Sequence, residues 1–293
     1  MSLFVTGADG AVGSYVADIF SQERLFLTDV KNLDITDREA MRRALIESKA
    51  KTVLHLAAET NVDRCEAEPE HAYRVNALGC ENVALACREA GARLVYISTG
   101  AVFDGRNPEP CTEFDAPAPV NVYARAKLAG EEAVRRLVPE HFIVRAGWMI
   151  GGGRRDKKFV YKILRLMDER EEISAVSDKR GTLTYARDLL LQVKAYLADG
   201  RPGTYHGAHG GVVTRFDVAL ELARLTGKKV KVKAVGSDAF PLPAPRGDSE
   251  AIRNYKAQLL GIDVMPDWKS ALAAYVRELE AVGVLKDGKV QDI

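Results

Sequence analysis

Tyr123 and Lys127 stand four residues apart in the run Tyr-Ala-Arg-Ala-Lys, a spacing that puts both side chains on one face of a helix. A free phenol gives up its proton near pH 10, and a neighbouring ammonium favours the phenolate, moving the pKa toward the working range. Such a pair can protonate a carbonyl oxygen or deprotonate an alcohol. The same spacing arises by chance in many helices, so its chemistry depends on what else the chain brings to it. Ser98 and Thr99 end an apolar run, and at the C-terminal edge of a parallel sheet their hydroxyls can orient a substrate oxygen. With Tyr123 as proton donor, Thr99 on the same oxygen, and Lys127 lowering the phenol pKa and holding a cofactor ribose, a hydride from nicotinamide could reduce a ketone. The reaction could run either way.

A second constellation lies at the start of the chain, where Thr6-Gly7-Ala8-Asp9-Gly10-Ala11-Val12-Gly13 follows the apolar run 3–5 with glycines at intervals of three. The first glycine permits a tight turn and the second lets a diphosphate approach the backbone. The third lets a helix pack on the sheet while its N-terminal amides face the phosphates. Asp9, Ala11 and Val12 share that turn and are expected at the cofactor with Gly7, Gly10 and Gly13. Asp29 ends the next apolar run, where a carboxylate accepts hydrogen bonds from the adenosine ribose hydroxyls. A 2'-phosphate there would meet like charge, blunted by Lys31, so NAD is favoured over NADP. In Leu33-Asp34-Ile35, Asp34 either caps the adenine side of the pocket or begins the next turn.

These groups need a scaffold. Runs 3–5, 24–28, 52–56, 94–98 and 142–145 read as strands separated by helical stretches. Among these, Thr36-Asp37-Arg38-Glu39 has a capping-box pattern opening a helix that runs to about Ser48, and Gly91 closes another. Strand and helix in alternation require crossover connections, hence an α/β, Rossmann-type doubly wound parallel sheet with helices on both faces. After Gly151-Gly152-Gly153, read as a flexible break, the pattern changes to helices at 159–169, 188–198, 216–225 and 268–280 with a short strand at 203–206. Pro241, Pro243 and Pro245 read as a rigid extended connection. The expected division is a dinucleotide-binding domain over 1–148, to which 183–206 returns, and a smaller, mainly substrate-binding region over 149–293.

Composition excludes several function classes. Lys plus Arg number 42 against 41 Asp plus Glu, so no global field draws the chain to nucleic acid or an anionic membrane. Neither is expected as a partner, and no apolar run reaches the length of a membrane span. Cys65, Cys80, Cys87 and Cys111 have neither zinc-ligand nor disulfide-framework spacing, and the five histidines show no ligand spacing, so no metal is expected. Cys80 and Cys87 should share the buried face of one helix. The N-terminus enters its first strand without a signal segment, which leads to a cytoplasmic expectation. Any self-assembly is expected to be a homodimer.

In the residues Gly7 to Gly13, Leu33-Asp34-Ile35-Thr36, Leu56-Ala57-Ala58, Val75-Asn76-Ala77, Ile97-Ser98-Thr99 with Val102-Phe103-Asp104-Gly105, Asn121-Val122-Tyr123 through Glu131, and Arg145 with Trp148, the chain resembles the extended short-chain dehydrogenase/reductase superfamily. Within it the chain is most similar to the dTDP-4-dehydrorhamnose reductase family, over nearly its whole length. The resemblance implies NAD(P)-dependent reduction of a 4-keto nucleotide sugar. It also implies Thr99, Tyr123 and Lys127 as catalytic residues, and Ile35, Leu56, Ala57, Ala58 and Asn76 as further cofactor contacts. Ser98, Trp148 and Arg246 are expected at the substrate, whereas the basic run Arg154, Arg155, Lys157 and Lys158 reads as solvated charge. The chain departs from the family pattern at Gly100-Ala101, where a carboxylate is usual after the Thr, and at Lys158-Phe159, 178–184 and 246–249. An epimerase or dehydratase on the same scaffold, or a non-catalytic dinucleotide-binding regulatory subunit, are the alternative readings.

Overall fold

The computed structural model describes residues 1–156, 158–286 and 288–291. Its first half runs β1 (Ser2–Thr6), α1 (Val16–Ile19), β2 (Arg24–Thr28), α2 (Arg38–Ser48), β3 (Thr52–His55), α3 (Val62–Ala67), α4 (Pro69–Tyr73), α5 (Cys80–Ala90), β4 (Arg93–Thr99), α6 (Val122–Leu137) and β5 (His141–Ala146). The second half adds β6 (Trp148–Ile150), α7 (Phe159–Glu169), β7 (Glu172–Val176), β8 (Arg180–Gly181), β9 (Leu183–Tyr185), α8 (Ala186–Asp199), β10 (Gly203–Gly207), β11 (Val213–Thr214), α9 (Arg215–Thr226), β12 (Lys231–Val235), β13 (Ser249–Glu250), α10 (Tyr255–Leu259) and α11 (Trp268–Ala281).

Six strands form one parallel sheet in the order β10-β5-β4-β3-β1-β2. Side chains alternate across a strand, and here both faces are covered. Leu3 and Val5 enter one core with Leu54, Val95 and Phe142, whereas Phe4 enters another with Val53, Leu94 and Ile143. That is why these strands read as continuous apolar runs rather than alternating ones. Strand β1 lies between β2 and β3, so the chain reverses its winding there, and the crevice beyond the C-terminal ends of β1 and β3 is the switch point where ligands bind in such sheets. The remaining short strands pair away from the main sheet, β6 with β9, β7 with β12, and β8 with β11 and β13.

Local expectations were met unevenly. Helix α5 closes at Gly91 in the left-handed region, and Cys80 and Cys87 are both buried on its inner face. The capping box at the start of α2 did not form. Asp37 is the N-cap, accepting from the Ala40 amide, because the Thr36 hydroxyl and amide are held by Asp34 Oδ1 in a tight turn. Nor is Gly151-Gly152-Gly153 a loose break. All three have positive φ, and the Gly152 amide donates to the Tyr15 hydroxyl at 2.7 Å, which packs the segment onto the first turn after the glycine loop.

Candidate active site

Helix α6 begins at Asn121, whose side chain accepts from the Ala124 amide at 2.9 Å and fixes the first turn. That turn delivers Tyr123 beside Thr99 at the end of β4, close enough for the threonine hydroxyl to lower the phenol pKa. Thr99 Oγ1 also accepts from the Ala101 amide, capping a short 3-10 turn at Gly100–Val102. One helical turn further on, Lys127 is buried and donates to the Ile97 carbonyl at 2.8 Å, with its ammonium 4.1 Å from the Tyr96 ring centre. Burial pushes the lysine down to about 8. It also pushes the Tyr123 phenol well above its ordinary value, against the lowering effect of Thr99. The expectation that Lys127 would draw the phenol toward neutrality is therefore corrected: desolvation dominates, and Tyr123 is a protonated phenol at neutral pH.

Another turn along α6, Glu131 occupies the buried face that apolar residues fill elsewhere on the helix. Its carboxylate accepts from Ser98 Oγ at 2.6 Å, from Arg145 Nε and Nη2 at 2.9 and 2.8 Å, and from Arg135. Ser98, expected to touch substrate, instead turns its hydroxyl to this carboxylate. Burial of Glu131 acts to raise its pKa, but the hydrogen bonds and charge of Arg145, with Ser98 and Arg135, together hold its carboxyl below the usual range. Lys127 on Ile97 and Glu131 on Ser98 thus fasten two successive residues of β4 to two successive turns of α6. The spacing of Glu131 from Lys127 was the available signal for this role, which the sequence reading did not draw.

A cleft of about 1110 Å³ runs from the glycine loop to the second half of the chain. Gly7, Gly10, Ala11, Val12, Gly13, Asp29, Asp34, Ile35, Leu56, Ala57, Ala58, Thr99, Tyr123 and Lys127 all line it, as do Ser98, Trp148 and Arg246. Asp9 does not. It faces a neighbouring depression, pairs with Lys31 at 3.3 Å, and gives its amide to Asp29 Oδ2. Asn76 is also outside the cleft lining, because its amide group bonds both the backbone N–H and the carbonyl of Glu59. It shapes the loop after β3 from behind.

The glycine loop fits a dinucleotide on steric grounds. Gly7 has φ +73, and a Cβ there would lie 2.6 Å from the Ala57 amide nitrogen, so the loops after β1 and β3 touch only because the side chain is missing. A Cβ on Gly13 would overlap the Ala8 carbonyl. Gly13→Ala is expected to lower unfolding stability by about 2 kcal/mol through overpacking and to weaken dinucleotide binding at least tenfold, as read by urea denaturation and by quenching of protein fluorescence. An unchanged denaturation midpoint would refute the close packing.

On the far side of the cleft, Trp148 donates its indole N–H to Glu250 at 2.8 Å, and Arg215 stacks 4.0 Å from the Trp148 ring and 4.5 Å from Phe159. Arg246 reaches Asp63 at 3.0 Å and its own loop at the Ala244 carbonyl, tying the proline-rich segment across the cleft. Of the basic run read as solvated charge, Arg155 and Lys158 line the cleft, Arg155 donating to the Ala8 carbonyl. Arg154 is exposed, and Lys157 lies outside the described residues. Arg215 and Glu250 were not anticipated, since neither sits in a motif.

Comparison with known proteins agrees with this arrangement. The family model described as "RmlD substrate binding domain" matches residues 1–281. A dTDP-4-dehydrorhamnose reductase of Mycolicibacterium smegmatis is 38% identical across 98% of this chain and 88% of its own length. The crystal structure of a dTDP-4-dehydrorhamnose reductase from Clostridium acetobutylicum is 37% identical, covers 96% of this chain and 100% of that one, and superimposes with a TM-score of 0.91. A Bacillus anthracis dTDP-4-dehydrorhamnose reductase solved in complex with NADP is 35% identical, with coverage of 94% and 99% and a TM-score of 0.91. With a matched model over almost all of the sequence and relatives of this identity, the chain belongs to the dTDP-4-dehydrorhamnose reductase family of the extended short-chain dehydrogenases/reductases.

Proposed function

We propose that this chain reduces the 4-keto group of a nucleotide sugar with a reduced nicotinamide dinucleotide, the reaction named for its relatives. The observation that supports it best is the convergence of Thr99, Tyr123 and Lys127 at the C-terminal sheet edge, in the same cleft as the glycine loop. The residues that would hold the dinucleotide are Gly7, Gly10, Ala11, Val12 and Gly13 at the diphosphate and Asp29 at the adenosine ribose. Leu56, Ala57 and Ala58 would border the nucleotide, and Lys127 would meet the second ribose. Bound in its reduced form, that cofactor supplies a hydride to the carbonyl carbon.

The chain supplies the rest. Tyr123 enters the reaction as a neutral phenol, held protonated by burial, and gives its proton to the carbonyl oxygen as the C–H bond forms. Thr99 donates a hydrogen bond to the same oxygen and fixes the phenol opposite it. Lys127 stabilises the resulting phenolate as an ammonium, and because its pKa lies at about 8, that support is present below pH 8 and is lost above it. The carboxylate of Asp29 at the adenosine end favours NADH over NADPH, since a 2'-phosphate would face a like charge.

Mixing the protein with NADH or NADPH and a panel of 4-keto-6-deoxy nucleotide sugars tests the reading. Stoichiometric nucleotide oxidation is expected, with NADH the better donor. Asp29→Ala should invert or erase the preference. Sugar epimerisation without net NADH consumption would overturn the assignment.

A further inference from the structure

Cations line the substrate side of the cleft, and several already have protein partners. Lys179 bonds Asp248, Arg246 bonds Asp63, and Arg155 bonds the Ala8 carbonyl. Among the described residues Arg74, Lys158 and Arg180 donate no side-chain hydrogen bond, and all three are exposed with no aromatic ring against them. Arg215 is different. Its guanidinium lies against both aromatic rings, 4.0 Å from the centre of Trp148 and 4.5 Å from that of Phe159, contacts that restrict its orientation and take part of its surface from water while the side chain stays partly exposed to the cleft. Among the described residues no protein acceptor takes any of its N–H donors within hydrogen-bonding distance. Glu250, whose charge acts on it, accepts from the Trp148 indole instead.

A partly desolvated guanidinium without a protein acceptor is destabilised as a cation, and burial moves Arg215 down to about 10. Protein interiors seldom leave charged donors in this condition unless a ligand completes them. The stack also leaves only the edge of the planar fork available, and that edge is the geometry that meets two oxygens of a phosphoryl group side by side. Because the ring contacts hold the fork in place, little side-chain freedom remains to be lost on binding.

We infer that Arg215 is the residue that receives the diphosphate of the nucleotide-sugar substrate, its fork donating to phosphoryl oxygens from between Trp148 and Phe159. The inference rests on the reductase reading for the identity of the ligand, but the interaction is one of binding and is measurable without turnover. Trp148 then serves two ends, one wall of the arginine slot and a partner of Glu250 at the sugar.

The test uses calorimetric titration of the full-length protein with dTDP, inorganic pyrophosphate and thymidine, for the unmodified chain, Arg215→Met and Arg215→Lys. Methionine keeps an apolar filler between the rings, and lysine keeps the charge without the fork. Both variants are expected to bind dTDP between about 10- and 100-fold more weakly, the range of a charge-assisted hydrogen-bonding pair. Pyrophosphate affinity should fall by a similar factor and thymidine affinity should not move. In turnover, KM for the nucleotide sugar should rise by that factor with kcat within twofold. Equal dTDP affinity in the unmodified chain and Arg215→Met overturns the assignment, and if 4-keto sugar turnover persists in that case the reductase reading stands without it. Failure of the unmodified chain both to bind dTDP and to turn over overturns the two together. Preserved melting temperature and far-ultraviolet dichroism in Arg215→Met exclude a folding defect. If that variant does not fold, the comparison passes to Arg215→Lys, for which dTDP affinity equal to that of the unmodified chain overturns the assignment.

Discussion

Tyr123→Phe lowers kcat by about three orders of magnitude while leaving dinucleotide affinity and the melting temperature nearly unchanged. The magnitude is that of losing a positioned general acid, and the selectivity follows from the surroundings of the phenol. Its ring is partly buried and packs against the small cluster of Cys65, Ala72 and Val122, contacts that phenylalanine keeps. Its hydroxyl has Thr99 as a neighbour, and Thr99 already has a partner in the Ala101 amide. Removal of the oxygen therefore orphans nothing in the protein and takes away only the proton. Stopped-flow mixing with NADH and a 4-keto sugar separates the steps: dinucleotide binding proceeds, and the single-turnover oxidation does not. A variant that turns over at the wild-type rate would remove Tyr123 from the proton path.

Lys127→Met gives the second large effect, and it moves activity and stability in ways that identify the cause. Turnover falls by about two orders of magnitude, because the phenolate left after proton transfer loses its countercharge. Stability reports the burial. A lysine at about 8 in the folded chain and near 10.4 in the unfolded one is bound to fewer protons when folded across that interval, so wild-type stability rises with pH there. Relative to the methionine variant, wild type should gain about 3 kcal/mol between pH 8 and pH 10.5, and the gap should be flat below pH 7. Paired urea titrations across that range check it. A constant gap would mean that the ammonium is not destabilised by its site. The methionine also leaves the Ile97 carbonyl without its donor, a constant offset that does not alter the slope.

The features most legible in the sequence are those whose chemistry depends on local spacing. A glycine every three residues after a strand, and a tyrosine and lysine one turn apart, are statements about backbone approach and helix face, and both survive folding intact. The apolar runs of β1, β3, β4 and β5 were legible for a related reason, since a strand buried on both faces has no polar face to hide its pattern. Roles decided by hydrogen-bond competition were not legible. Ser98 has the type and place of a substrate hydroxyl, but Glu131 captures it. Asn76 carries a cofactor-contact pattern, yet Glu59 takes its amide. Arg215 was invisible because its meaning comes from Trp148 and Phe159, which reach it only through the packing of α9 and α7 around the cleft. The phenol pKa was misread because the sequence showed the neighbouring charge and could not show how little water surrounds both groups.

The hydroxyls of Tyr15 and Tyr185 both donate to Glu278 on α11, and Tyr15 in turn receives the Gly152 amide. The bond from Tyr15 spans 263 positions of the chain, so the roof over the nucleotide loop is closed by residues made far apart during synthesis. A nascent chain can pair β1 with β2 and β3 long before α11 exists, but it cannot seat the 151–153 turn against the loop until α11 arrives. Completion of the cleft therefore waits on α11 rather than on the sheet that contains the motifs.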